Sequence, residues 1–163
     1  MKFNYYGFKA IYVHEMNRFL RTVGQSLLSP LISTALYFVV FGSVIGGYIQ
    51  KIDGVSYGSY IVPGLLMLTL LTQSISNTSF GIFFPKFNGT INEILAAPIS
   101  TLETVLAFVG AGATKTLIVG AVIFITATFF ADVSVEYPML MIFLLVLVSF
   151  TFALFGFLIG VVS

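Results

Sequence analysis

The residue with the clearest potential for chemistry is Lys115, a charged side chain inside a long apolar stretch. An ionisable residue within a membrane span is costly and often belongs to a functional site. A lysine near the end of a span can instead extend its amine to the aqueous interface. Because Lys115 directly precedes the uninterrupted apolar residues 116–131, we predict that it is an interface anchor.

A row of polar side chains is the second candidate site. Thr69, Gln73 and Asn77 follow one another at four-residue spacing, so they share one face of a helix. Contact with lipid would be costly for this face, which must therefore point at another helix or at water. We interpret it either as the lining of a transport pathway or as a set of interhelical hydrogen bonds.

The sequence offers little for catalysis, metal binding or cofactor binding. It has no cysteine and a single histidine, His14, which argues against thiolate chemistry and a zinc site. Residues 110–116 read GAGATKT, but Thr114 stands where a phosphate loop needs glycine, and no strand precedes it. We therefore predict a non-catalytic subunit that binds no metal and no cofactor directly.

The composition predicts a protein that is embedded in the lipid bilayer. Apolar residues make up 58% of the 163 residues and charged residues 8%, whereas soluble domains carry roughly 25% charged residues. The seven basic residues form no phosphate-binding footprint, so we expect membrane lipid, and not nucleic acid, as a partner.

Apolar stretches of about 20 residues predict an all-α membrane protein. We expect transmembrane helices at 27–49, 57–80, 102–131 and 138–163, and an amphipathic helix at 8–23. Such a helix lies in the membrane interface; a soluble helix packed on a cytoplasmic partner is the alternative. The pairs Gly42/Gly46 and Gly156/Gly160 allow close helix packing.

One segment between the predicted spans breaks the apolar pattern. Residues 81–101 contain two prolines and several charged or polar residues, so we expect them outside the bilayer. Within them, residues 90–97 have room for a short helix that Asn88 caps and Pro98 ends.

Basic residues set the predicted orientation. Lys2, Lys9, Arg18 and Arg21 all precede the first span, and positive charge favours the cytoplasmic side. We therefore expect a cytoplasmic N-terminus, with 81–101 on the same side of the membrane.

Four linked motifs occur in a characteristic order: residues 15–19 (EMNRF), 60–64 (YIVPG), 88–100 (NGTINEILAAPIS) and the glycine-rich 109–120, which includes Lys115. In this order the chain resembles the membrane permeases of ABC type 2 exporters, in particular the bacterial inner-membrane transport permeases. The resemblance covers essentially all of residues 1–163.

The resemblance implies a six-helix ABC-2 permease fold that works as a dimer of two permease copies in the cell inner membrane. Separate ABC ATPase subunits, which hold the ATP and Mg²⁺, would power it. The cytoplasmic loop after the second span would form a helix that couples ATPase and permease. That role falls on Thr90, Ile91, Asn92, Glu93, Ile94, Leu95, Ala96 and Ala97.

The implied function is export of a drug, lipid, polysaccharide or other amphiphile, driven by ATP hydrolysis in the partner. The alternative is a passive membrane channel or scaffold subunit. Because a fifth and a sixth span are missing here, we expect a truncated transmembrane domain that represents the N-terminal part of a permease.

Overall fold

The computed structural model describes residues 4–45, 48, 51–52 and 54–163. Helix α1 is Tyr5–Arg21 and α2 is Val23–Tyr37, which continues as a π-helical stretch, Phe38–Ile45. A hairpin of two short strands follows, in which β1, Lys51–Ile52, is antiparallel to β2, Val55–Ser56. Four more helices complete the fold: α3 at Tyr57–Phe87, α4 at Ile91–Ala96, α5 at Thr101–Phe130 and α6 at Pro138–Val162.

Four helices in the described part of the chain are long and apolar enough to cross a membrane. The first spans Val23–Phe41, and the others are α3, α5 and α6. The predicted bounds of the last two spans differ from the structure by one residue at most. In lipid, the backbone N–H and C=O groups of a spanning segment must form hydrogen bonds with one another, and a helix provides these bonds.

The first predicted boundary is wrong. Only Thr22 separates α1 from α2, so the first spanning helix begins at Val23 and not at residue 27. The polar residues Gln25 and Ser26, which precede residue 27, lie inside α2 and line a cavity. The predicted close-packing pair Gly42/Gly46 lies partly outside the described residues.

The second predicted boundary is also wrong, because α3 continues to Phe87 and not to residue 80. Pro85 lies inside this helix, and the aromatic rings of Phe83 and Phe87 stack across one turn. Lys86 Nζ donates a hydrogen bond to the carbonyl oxygen of Val161 on α6, at a distance of 2.7 Å. The non-helical connection is therefore shorter than 81–101.

Helix α5 lies at the centre of the core. Its residues Val119 and Ile123 are buried with Leu66 and Leu70 of α3 and with Phe19 of α1. At Gly120 a Cβ would come within 2.8 Å of Leu70 Cδ2, so a glycine is what lets α3 approach α5 here. Apolar side chains on many outward positions of α6 are exposed, as expected for a surface that faces lipid.

Small residues bring α6 into direct contact with α3. The buried face of α6 consists of Ser149, Ala153, Gly156 and Gly160. A Cβ at Gly156 would lie 2.5 Å from the Ile75 carbonyl oxygen and 2.8 Å from Ile75 Cα. The predicted Gly156/Gly160 pair is therefore a backbone-to-backbone packing site, as expected where lipid supplies no hydrophobic driving force.

We predict that Gly156→Ala lowers the stability of the protein by about 1–3 kcal/mol, because backbone atoms of α3 cannot give way to the new methyl group. Thermal unfolding of the purified protein in detergent measures the change. Gly64→Ala is the matched control, since no described residue lies within 4 Å of its Cβ position. Equal melting temperatures for the two variants would contradict the packing.

Candidate functional site: a buried charge cluster beside a polar cavity

Three charged side chains meet where α1 packs on α5. The Glu15 Oε2 atom accepts a hydrogen bond from Lys115 Nζ at 2.7 Å and another from Arg18 Nη2 at 2.9 Å. The Lys115 and Glu15 side chains are 4% and 3% exposed, whereas Arg18 is 35% exposed. One carboxylate therefore serves two cations, and only Arg18 reaches the surface of the cluster.

The surrounding helices make room for this carboxylate. A Cβ at Gly81 of α3 would lie 3.3 Å from Glu15 Oε2, so a larger residue would press on the acid. One turn before Glu15, the Tyr12 hydroxyl bonds to the Thr114 hydroxyl of α5 at 2.9 Å. Tyr12 of α1 therefore contacts α5, and Phe19 packs in the buried cluster with Val119 and Ile123. The location of α1 in the membrane interface stays a prediction.

The interpretation of Lys115 as an interface anchor is wrong. An anchor extends its amine to water or lipid headgroups, but this amine is enclosed and paired with Glu15. A buried charge is tolerable only when it is paired and hydrogen-bonded. The Glu15 carboxylate provides that pairing from a helix one hundred residues away in sequence.

The polar row on α3 splits into two parts. The Thr69 hydroxyl bonds to the Leu65 carbonyl oxygen of its own helix. The Asn77 amide donates to Gln73 Oε1 at 3.4 Å, and both side chains line a cavity. The interhelical hydrogen bond of this region is made by Ser74, whose hydroxyl donates to the Ser149 carbonyl oxygen of α6.

The cavity has a volume of about 620 Å³ and lies between the end of α1, the start of α2 and the second half of α3. Its lining joins the charge cluster to the polar row, because Arg18 and Lys115 border it together with Gln73 and Asn77. Several of the predicted site residues are thereby brought together.

The predicted coupling segment lies apart from this cavity, in the connection from α3 to α5. Asn88 is the C-cap of α3. Gly89 follows it, and the chain turns there with a φ of 76°. Thr90, and not Asn88 as predicted, is the N-cap of α4, and its side chain makes no capping bond. No residue of α4 is buried; Asn92, Glu93, Leu95 and Ala96 are exposed, whereas Ile91, Ile94 and Ala97 are half-buried.

A second carboxylate joins the start of α1 to this connection. Glu103 Oε1 accepts from the Asn4 backbone N–H at 2.6 Å, and Glu103 Oε2 accepts from the Ser100 N–H at 2.8 Å. The Asn4 side chain also donates to the Pro98 carbonyl oxygen. We call Asn4, Pro98, Ser100 and Glu103 the N-terminal clamp, because together they fix α1 to the end of the α4–α5 connection.

Sequence reasoning missed Glu15 and Glu103 as structural partners. The pattern Ser100-x-x-Glu103 is a capping box, which the structure contains, and this signal was readable. For Glu15 the available signal was that a lysine in an apolar stretch requires an acid. The sequence places Glu15 on a helix but gives no distance to Lys115.

Residues 6–163 match the family of ABC-2 type transporters. The chain belongs to this family. Its charge cluster, cavity and α3–α5 connection are therefore features of an ABC-2 membrane domain, and the predicted resemblance and all-helical membrane fold are confirmed.

The chain is also similar to curated proteins called inner membrane transport permease YadH. It is 37% identical over 153 residues to that of Escherichia coli K12 and, with the same values, to that of Shigella flexneri. The alignment covers 94% of this chain and 60% of the relative, so the chain spans about 60% of their length. No solved structure matches it significantly.

These findings confirm the predicted location as a multi-pass protein of the inner membrane. The cytoplasmic orientation of the N-terminus stays a prediction.

In the charge cluster, we predict that replacing Glu15 destabilises the protein more than replacing Lys115. Glu15→Gln leaves Lys115 buried without an anionic partner and should cost about 3–5 kcal/mol of stability. Lys115→Met should cost less, because Arg18 still pairs with Glu15. The Glu15→Gln/Lys115→Met double variant should be more stable than Glu15→Gln alone, as measured by thermal unfolding of the purified protein. Lys9→Met, exposed on α1, is the control, and equal losses for Glu15→Gln and Lys9→Met would refute the cluster.

For the N-terminal clamp we predict that Glu103→Ala releases the start of α1, because both carboxylate acceptors are lost. Hydrogen exchange of the amides in residues 4–8 and 97–104 should accelerate, whereas that in α6 should not. Glu103→Gln keeps one acceptor oxygen and should give an intermediate rate. Glu136→Ala, an exposed acid in another loop, is the control, and unchanged exchange in Glu103→Ala would rule the clamp out.

Proposed function

We propose that this chain works as the permease subunit of an ABC exporter, in which a separate ATPase subunit hydrolyses ATP. Membership of the ABC-2 type transporter family supports a membrane transport role. The similar Escherichia coli protein is called an inner membrane transport permease, which supports the same assignment. Export of a drug, lipid, polysaccharide or other amphiphile is the transport activity proposed for the complete machine.

The observation that supports coupling most directly is the exposure of α4. Leu95 is 74% exposed and lies next to the exposed Glu93 and Asn92 on the outward face of a short helix. In the proposed topology this face is in water, where it is accessible to a partner protein. We propose that Thr90 to Ala97 dock on the ATPase, with Glu93 and Leu95 at the contact.

The local geometry suits an element that transmits motion. The preceding turn depends on Gly89 at a positive φ, and the following segment is held by the N-terminal clamp. A displacement of α4 is thereby passed to α1 and α5 together. Packed elements respond to such displacements by switching between discrete arrangements.

The proposed assembly contains two permease copies and the ATPase subunits, with ATP and Mg²⁺ held by the latter. A passive channel or scaffold is the alternative function. A channel needs a lining of polar or charged groups along its pore. Among the described residues, such polar and charged groups are concentrated beside α3. The channel alternative also leaves the exposed α4 without a function. The exporter is therefore the better-supported proposal.

We predict that Glu93→Ala, and separately a glycine inserted after Leu95, uncouple the permease from its ATPase. The first removes a charge from the proposed contact, and the second breaks α4 as a rigid element. The measurement compares the ATP hydrolysis rate of the reconstituted complex with that of the ATPase subunit alone. The rate should fall toward that of the isolated ATPase in both variants, with Asp132→Ala, an exposed acid outside this segment, as control.

Wild-type coupling in both variants would overturn the assignment of α4. Dye leakage from liposomes that contain the permease without ATPase or ATP would favour the passive channel instead.

A further inference from the structure

The cavity beside α3 carries an uncompensated positive charge. Arg18 and Lys115 contribute two positive charges, and Glu15 contributes one negative charge, so the cluster has a net charge of +1. No acidic residue lines the cavity within the described part of the chain. In a space bordered by helices such a charge is screened less than at an open surface.

Arg18 has donors left for a ligand. A guanidinium carries five N–H donors in a fixed fork. Among the described residues, only its bond from Nη2 to Glu15 is present, and the side chain is about one-third exposed toward the cavity. The amide groups of Gln73 and Asn77, and the hydroxyl of Ser29, border the same space. These groups together match the several acceptor oxygens of a phosphate or a carboxylate.

Aromatic side chains form another part of the lining. Phe80 and Phe84 lie one turn apart on α3, with ring centroids 6.2 Å apart and exposed fractions of 56% and 49%. The Arg18 guanidinium lies 5.9 Å from the centroid of the Phe84 ring. The cavity therefore presents a cationic, hydrogen-bonding end directly beside an apolar wall.

We propose that this cavity binds an anionic amphiphile, with the negatively charged headgroup on Arg18, Gln73 and Asn77 and an acyl or other apolar chain along Phe80 and Phe84. An uncharged apolar ligand would leave the charge of Arg18 unused, and a cationic one would be repelled. A free inorganic anion would leave the aromatic wall exposed. This binding site does not depend on the proposed export function, because the permease alone can be tested for it.

The test is a titration of the purified permease, in neutral detergent, with two fluorescent lysolipids of equal chain length. Lysophosphatidic acid should bind, and lysophosphatidylcholine, whose headgroup has no net charge, should bind much more weakly. Arg18→Gln should reduce affinity for lysophosphatidic acid about tenfold, since it removes a charged hydrogen-bond donor. Arg18→Lys keeps the charge and should retain most of the affinity.

Matched controls separate binding from folding. Arg21→Gln removes an exposed positive charge from the same last turn of α1, outside the cavity lining, and should bind as the unaltered permease does. The Arg18→Gln variant keeps the Glu15–Lys115 pair, so its melting temperature reports whether the core has survived. Phe84→Ala should weaken binding of the lysolipid while leaving the preference for the anionic headgroup.

Equal affinity of a folded Arg18→Gln variant and the unaltered permease for lysophosphatidic acid would overturn the proposal, as would equal binding of the two lysolipids. Displacement of the probe by inorganic phosphate as effectively as by unlabelled lysophosphatidic acid would overturn its amphiphile part.

Adding the ATPase subunit and ATP then distinguishes two sources of the same headgroup chemistry. Release of the probe during ATP turnover identifies transported cargo, and retention identifies a bound membrane phospholipid; both outcomes support the site.

Discussion

The arrangement of the helices depends on a single carboxylate in a place where charge is costly. Glu15 Oε2 is the shared acceptor of Lys115 and Arg18, and it lies against Gly81. Because an isolated ammonium cannot remain charged in an apolar interior, α1 must bring this acid to α5 for Lys115 to be buried in its charged form. The ion pair, together with the Tyr12–Thr114 hydrogen bond, holds α1 against α5 beside the cavity.

Helix α1 links two regions that are far apart in the fold. Its first residues are held to the α4–α5 connection through Asn4 and Glu103, and its last turns supply Glu15 and Arg18 to the charge cluster. A motion that enters at α4 therefore has a continuous path of hydrogen bonds and ion pairs to the cavity. Chains of hydrogen bonds, ion pairs and rigid helices of this kind can carry energetic coupling between distant sites.

Helix α3 has one tightly packed face and one face that borders the cavity. Its buried row, which includes Leu66, Leu70 and Ser74, faces α5 and α6, where glycines allow the backbones to touch. Its other face carries Gln73 and Asn77 along the cavity. These two members of the polar row therefore face a space between helices.

The sequence by itself determined the number, type and approximate bounds of the spanning helices, because a run of about 20 apolar residues has few alternatives in a bilayer. It also determined the family, through motifs that include the exposed segment of α4. It misplaced the start of α2 and the end of α3, since Gln25 and Lys86 look aqueous until the cavity beside Gln25 and the Val161 carbonyl oxygen beside Lys86 are known. Only the tertiary structure decided that Lys115 is a buried partner of Glu15, because ion pairing depends on distances in space that no sequence spacing encodes.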